Sequence, residues 1–257
     1  MSSILFSLEE GVASITLNRP DKLNSFNREM ALEMQARLDE CKASTVRAVY
    51  ITGAGKGFCA GQDLAEVVDP SGPGMNRILS EHYNPIVSRI RKLEKPVIAA
   101  VNGVAAGAGA NIALSCDIVV AAASASFIQA FSKIGLIPDS GGTYILPRLI
   151  GLQKATALMM LGDKVPAAEA ERLGMIYKVI EDSVFAEETY KLARTMAAMP
   201  TRGLALTKKA LDWSLTHTFD EQLMNEDKLQ QQAAATNDFK EGTNAFLEKR
   251  SPVFKGE

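Results

Sequence analysis

Two stretches of small residues offer backbone chemistry where side chains have little to give. Residues 105–110 read Ala-Ala-Gly-Ala-Gly-Ala and follow the apolar run PVIAAV at 96–101. Without bulky side chains the backbone approaches a ligand closely, and a helix starting there presents free N–H groups and the positive end of its dipole. Such a place holds a developing negative charge. Tight packing of helix on sheet would use the same residues, and the segment alone leaves both readings open. The second stretch, FCAGQDL at 58–64, also follows a strand and is built around Gly61. Taken alone, it is equally an ordinary turn.

Other candidate motifs fail on spacing. GAGKG at 53–57 has Tyr50 where a phosphate loop needs its first glycine, and Gly57 where it needs Ser or Thr. Gly107-Ala108-Gly109 has Ile112 at the third glycine position of a dinucleotide fingerprint. Cys41, Cys59 and Cys116 form no C-x-x-C pair and read as reduced structural thiols. His82 and His217 lie far apart, so no metal site is expected and each reads as a surface or packing residue.

The elements that must carry these stretches alternate in the first half. Val12–Leu17 reads as a strand stopped at Pro20, and a helix begins at the N-cap Asn27, with Met30, Met34, Leu38 and Cys41 on one face. Arg47–Thr52, Pro96–Val101 and Ile118–Ala121 are further buried-type strands, which implies a parallel sheet covered on both faces. Beyond Gly151 helices dominate, over 152–161, 167–173, 185–199, 203–215 and 219–234, before a tail at 238–249. The run Asp69-Pro70-Ser71-Gly72-Pro73-Gly74 is a loop insertion and a candidate mobile lid.

At 257 residues the chain fits one main domain with a helical appendage. Apolar residues make up 47% and charged ones 23%, and 28 Lys plus Arg stand against 30 Asp plus Glu. No net field points to nucleic acid or an anionic membrane, so a small molecule is the expected ligand. The N-terminal MSSILFSLEEGVAS lacks the charge pattern of a secretory signal, and no run reaches the roughly 18 apolar residues of a membrane helix. A soluble, cytoplasmic protein is expected.

Five segments, in order and at fitting intervals, give the chain a family likeness. They are NRPDKLNSF at 18–26, FCAGQDL at 58–64, VNGVAAGAGANIALSCD at 101–117, FSKIGLIPDSGGTYILPRLIG at 131–151 and FLEKRSPVF at 246–254. Together they resemble the crotonase (enoyl-CoA hydratase/isomerase) family over nearly the whole chain, and most closely its phenylacetate-pathway enoyl-CoA isomerases. The resemblance implies an α/β fold, a spiral of ββα units over 1–200 with a C-terminal helical trimerisation region over 201–257. It also implies assembly as a homotrimer or a dimer of trimers. Acyl-CoA would be the substrate, with coenzyme A entering as part of it and no separate cofactor. The thioester enolate would be held by the amides of Gln62 and Ala108, at about 3 kcal/mol per donor. Lys22, Leu23, Ala60, Gly61, Asp63 and Leu64 would line the coenzyme path. Gly109, Phe131, Ile134, Leu136, Ile137 and Pro138 would line the acyl chain, although several of these apolar residues are equally read as core.

Departures from the family pattern bear on the reaction. The two glutamates of a hydratase fall at Asn111 and Phe131, neither of which exchanges a proton. A single carboxylate, Asp139, stands at the position used by the family's double-bond isomerases and by an aromatic dehalogenase. One base suits a 1,3-proton shift, whereas the dehalogenase also needs a histidine that no matched segment supplies. Asp139 would alternatively cap a helix starting at Gly141. Leu136 and Ile137 would raise its pKa and the helix N-terminus would lower it. The resemblance thus implies a Δ3 to Δ2 enoyl-CoA isomerase, with hydratase as the second reading and a non-catalytic CoA- or RNA-binding scaffold as the third.

Overall fold

The computed structural model describes residues 2–257. The chain opens on a hairpin of β1 (Ile4–Glu9) and β2 (Val12–Leu17), whose register pairs Glu9 with Val12 and leaves only Glu10 and Gly11 in the turn. Both turn residues have positive φ, 49° and 79°, the conformation that matches the twist of two antiparallel strands. β1 escapes a periodicity reading because Leu5 puts an apolar residue on its outward face and Leu8 is exposed on the face of Ile4 and Phe6.

One move then repeats three times: a long strand, a short strand turned away from it, and helix. The long strands are β3 (Ala48–Gly53), β5 (Val97–Val101) and β7 (Ile118–Ala122), and the short ones β4 (Gly57–Cys59), β6 (Val104–Ala106) and β8 (Ser126–Ile128). With β9 (Lys164–Pro166) and β10 (Lys178–Ile180) they form a six-stranded sheet, β1-β2-β3-β5-β7-β10, and a four-stranded sheet, β4-β6-β8-β9. Each repeat advances one strand in both sheets, so the units wind as a spiral. Strands β2, β3, β5, β7 and β10 run parallel, while β1 and β9 pair antiparallel at the sheet edges. The parallel interior expected from the apolar runs is present, with every residue of β5 buried.

The first helix, α1 (Arg28–Glu40), is capped by Asn27, whose Oδ1 accepts from the Met30 N–H at 3.0 Å. Met30, Met34 and Leu38 are buried along one face, as the spacing predicts. Next come α2 (Leu64–Val68) and α3 (Gly74–Arg77), and between them the proposed lid is a short turn in which Asp69 Oδ1 accepts from the Ser71 N–H and hydroxyl. A π-helical turn, Ile78–Tyr83, leads into α4 (Asn84–Lys92). Helices α5 (Ala108–Leu114), α6 (Gly142–Ile150), α7 (Leu152–Leu161), α8 (Ala167–Arg172) and α9 (Phe185–Ala198) complete the spiral.

The last three helices are α10 (Thr201–Ser214), α11 (Phe219–Ala234) and α12 (Asn237–Leu247). Lys208 ties α10 to the core, donating to Asp117 and to the Ile90 carbonyl, each at 2.8 Å. The segment read as a tail is the helix α12, capped by Thr236 Oγ1 on the Phe239 N–H at 3.1 Å. The buried Asp238 at its start accepts from the backbone of Lys255 and Gly256, folding the chain's end back onto it. Among the described residues no helix is long and apolar enough to cross a membrane.

Candidate active site

The two small-residue stretches meet. Gly61 has φ +94°, which a side chain tolerates poorly, and a Cβ there would lie 3.0 Å from the Ala106 carbonyl oxygen and 3.5 Å from the Ala108 nitrogen. Only glycine allows the 61–62 peptide to lie this close to the start of α5. Gly107, at φ +53°, makes the turn from β6 into that helix. Gly109 faces the other way, and a Cβ on it would meet Cys59 backbone and side-chain atoms at 2.4–2.7 Å. Its smallness therefore serves the contact between α5 and β4.

Hydrogen bonding then leaves two amides at this junction without partners among the described residues. The Phe26 N–H donates to the Gly61 carbonyl at 2.7 Å and the Asp63 N–H to the Phe26 carbonyl at 2.8 Å, bracketing Gln62 in a parallel bridge. The N–H groups of Gln62 and Ala108 donate to no group among the described residues. Ala108 opens a helix, where the first N–H groups are unsatisfied by construction. Two such donors stabilise a carbonyl oxygen as negative charge grows on it.

Asp139 is held to the same helix. Asn111, one turn beyond Ala108 and fully buried, donates from Nδ2 to the Asp139 carbonyl at 2.9 Å and accepts from Gln129 Nε2 at 2.8 Å. The Asp139 carboxylate is half-buried and accepts from the Ser140 hydroxyl at 2.7 Å. Burial pushes its pKa above the ordinary aspartate value, and the Ser140 hydroxyl and its own backbone N–H only partly oppose this. The direction left open by the sequence is upward. Leu136 and Ile137, expected to contribute to that burial, are themselves 38% and 80% exposed. Asp139 does not cap α6: Gly141 holds the cap position without a side-chain bond, and only the Asp139 carbonyl takes a helix N–H, that of Gly142 at 2.8 Å. Ser140 and Gly141 both adopt left-handed backbone, at φ 52° and 78°, to make this corner.

The remaining residues named from the sequence fall into three groups. Phe131 is buried, its ring edge 3.8 Å from the Cβ position of Gly107, beside the start of α5. Ile134 and Leu136 are exposed rather than core, and Pro138 is intermediate. Of the residues expected along the coenzyme, Lys22, Leu23 and Leu64 are exposed, and Ala60 is tied by its N–H to the Leu23 carbonyl at 2.9 Å. Asp63 is committed to its neighbours. It pairs with Arg19 at 2.8 Å and caps α2, and these contacts outweigh burial and hold its carboxyl below the usual range.

Burial pushes the Cys41 and Cys59 thiols up to about 12 and raises Cys116 as well, in keeping with inert structural cysteines. His82 is buried and His217 stacks on Trp213 at 3.5 Å between ring centroids.

Three side chains beside the junction carry no sequence signal. Tyr83 donates from its hydroxyl to Gln62 Oε1 at 2.8 Å, Glu66 accepts from Gln62 Nε2 at 2.9 Å, and Gln129 positions Asn111. None belongs to a motif of fixed spacing, and the π-helical turn removes Tyr83 from any helical periodicity.

Known proteins share this arrangement of elements and sequence. The family pattern described as enoyl-CoA hydratase/isomerase matches residues 7–257. The 1,2-epoxyphenylacetyl-CoA isomerase of Escherichia coli (strain K12) is 50% identical, over 100% of this chain and 99% of that protein. The short-chain-enoyl-CoA hydratase of Clostridium acetobutylicum is 36% identical, over 97% and 96%. A crystal structure of enoyl-CoA hydratase from Bacillus anthracis superposes with a TM-score of 0.95 at 33% identity, covering 99% of this chain and 100% of that one. Both the spiral and the order of its segments are therefore inherited, and the chain belongs to the enoyl-CoA hydratase/isomerase, or crotonase, family.

Proposed function

We propose that the protein is an enoyl-CoA isomerase that moves a double bond from position 3 to position 2 of an acyl-CoA, ring-derived phenylacetate-type substrates included. In this reading the Gln62 and Ala108 amides hold the thioester oxygen while the Asp139 carboxylate removes a proton from C2. The electrons of that C–H bond form a dienolate, and Asp139 returns the proton to C4. One carboxylate serves as base and then acid, so no water or further cofactor enters the balance. The observation that carries the reading is the half-buried Asp139, its pKa raised by burial, tied through Asn111 to the helix that Ala108 begins. Asn111 and Phe131, where a hydratase would have its glutamates, offer no second proton carrier.

Lys22, Leu23, Ala60, Gly61, Asp63 and Leu64 would follow the coenzyme, and Gly109, Phe131, Ile134, Leu136 and Pro138 the acyl group. The working form would be a cytoplasmic homotrimer or dimer of trimers, assembled through the helices beyond residue 200. Similarity at 50% identity to a 1,2-epoxyphenylacetyl-CoA isomerase supports a ring-derived CoA ester as substrate. Incubation with 3-hexenoyl-CoA and, separately, crotonyl-CoA in deuterium oxide tests it, with products assigned by mass and NMR. Bond migration without water addition is the expected result; efficient formation of 3-hydroxyacyl-CoA from crotonyl-CoA would overturn it.

A further inference from the structure

Both polar atoms of the Gln62 side chain are held, while its backbone N–H is left without a partner among the described residues. Its backbone is bracketed by Phe26 on both sides. Its side-chain oxygen takes the Tyr83 hydroxyl at 2.8 Å, and its side-chain nitrogen donates to Glu66 Oε2 at 2.9 Å. Glu66 is anchored in turn, its other oxygen accepting the Arg28 N–H at the start of α1 at 2.8 Å. Tyr83 itself is 1% exposed, with its ring set edge-on to Phe26 at 6.0 Å, so it has little freedom to leave.

The π-helical turn is what places it. Ile78, His82 and Tyr83 are all buried in that turn, and His82 faces Arg28, with the guanidinium 3.2 Å from Nε2. A π-turn inserts one residue into helical spacing and re-aims the side chains that follow; such turns recur at functional sites. Here the re-aimed hydroxyl meets the side chain of the residue whose amide is otherwise unoccupied.

We propose that Tyr83 is a positioning residue: its hydroxyl, with Glu66, clamps the Gln62 side chain so that the Gln62 N–H is held toward the substrate carbonyl. The inference rests on the isomerase reading for its catalytic consequence, but not for its physical one. A preorganised donor acts on the charge that develops during reaction and little on the ground state. Loosening it should therefore lower kcat and leave KM nearly unchanged.

The experiment uses Tyr83→Phe, which keeps the ring, Gln62→Met, which keeps the backbone amide, and the double variant. Two readouts are taken: kcat and KM for a 3-enoyl-CoA, and the ultraviolet enolate band of bound acetoacetyl-CoA. The band reports polarisation by the amides and needs neither Asp139 nor turnover. A neutral hydrogen bond predicts a roughly 3- to 10-fold fall in kcat for Tyr83→Phe, with KM within about twofold and a weaker enolate band. Gln62→Met should give the same defect without touching the π-turn, and Tyr83→Phe should add nothing to it.

Unchanged kcat and enolate band in either single variant overturns the proposal. So does a Tyr83→Phe effect that persists in the Gln62→Met background. If Tyr83→Phe fails to fold, Gln62→Met alone decides. If the wild-type protein does not move the double bond, the isomerase reading fails, while the enolate band still decides the role of Tyr83.

Discussion

On the proposed reading, Asp139 sets function against stability in one side chain. Its pKa is raised in the folded protein, so the stabilising contribution belongs to the protonated form. That contribution is present below the ordinary aspartate range and is lost as pH rises through the folded value. At neutral pH the charged carboxylate therefore costs stability, and Asp139→Asn should melt at a higher temperature than wild type at pH 7. The two melting curves should converge below about pH 4, where wild type is protonated in both states. A lower melting temperature for the variant at pH 7 would contradict this account. The same substitution should reduce turnover of a 3-enoyl-CoA by about 10²- to 10⁴-fold, the range for removing a general base. In wild type, kcat/KM should fall on acidification with an inflection above the usual aspartate value, because only the ionised form removes a proton. A pH profile with its inflection at or below that value would point to another base.

Among the elements, the contact of α5 on β4 sets the distance between the two free amides. Gly109→Ala forces a methyl group into Cys59 at 2.4 Å from its carbonyl oxygen, and backbone on both sides has little room to give. Overpacking of this kind costs about 1–3 kcal/mol, and here it also separates the amides. Loss of enolate-band intensity together with a lower melting temperature is the expected pair of results. A variant with wild-type turnover would show that the spacing is not critical.

This junction was legible in the sequence because a close approach of two backbones demands small residues, and those residues form contiguous runs. Asp139 was legible through its neighbours, whereas the direction of its pKa needed the actual packing around it. Tyr83 was not legible, because a π-turn breaks the periodicity that would have marked its face and its partner lies 21 positions away. Strands β4, β6, β8, β9 and β10 have three residues each, too few to show any alternation. The helix α12 was read as a tail because its Gly242 and polar residues dilute the apolar stripe.

For the molecule as a whole, the C-terminal region leaves much apolar surface uncovered. Phe219, Met224, Phe246, Leu247 and Val253 are each between 64% and 82% exposed. Exposed apolar side chains are what the proposed assembly through these helices would cover. Light scattering should find the protein as a trimer or hexamer, and Phe246→Asp with Leu247→Asp should shift it toward monomer. A monomeric wild type would leave this face without the proposed use.

The contact of Gly109 with Cys59 has one more consequence. On the proposed reading, the part of the site that would meet developing charge is built from backbone pressed against backbone, whereas Ile134, Leu136 and Ile137 are exposed side chains on a different segment. Substitutions among those outer side chains can accumulate without moving either amide. On that reading the fold would separate what is done from what it is done to, and descendants could exchange acyl groups while inheriting the electrostatics unaltered.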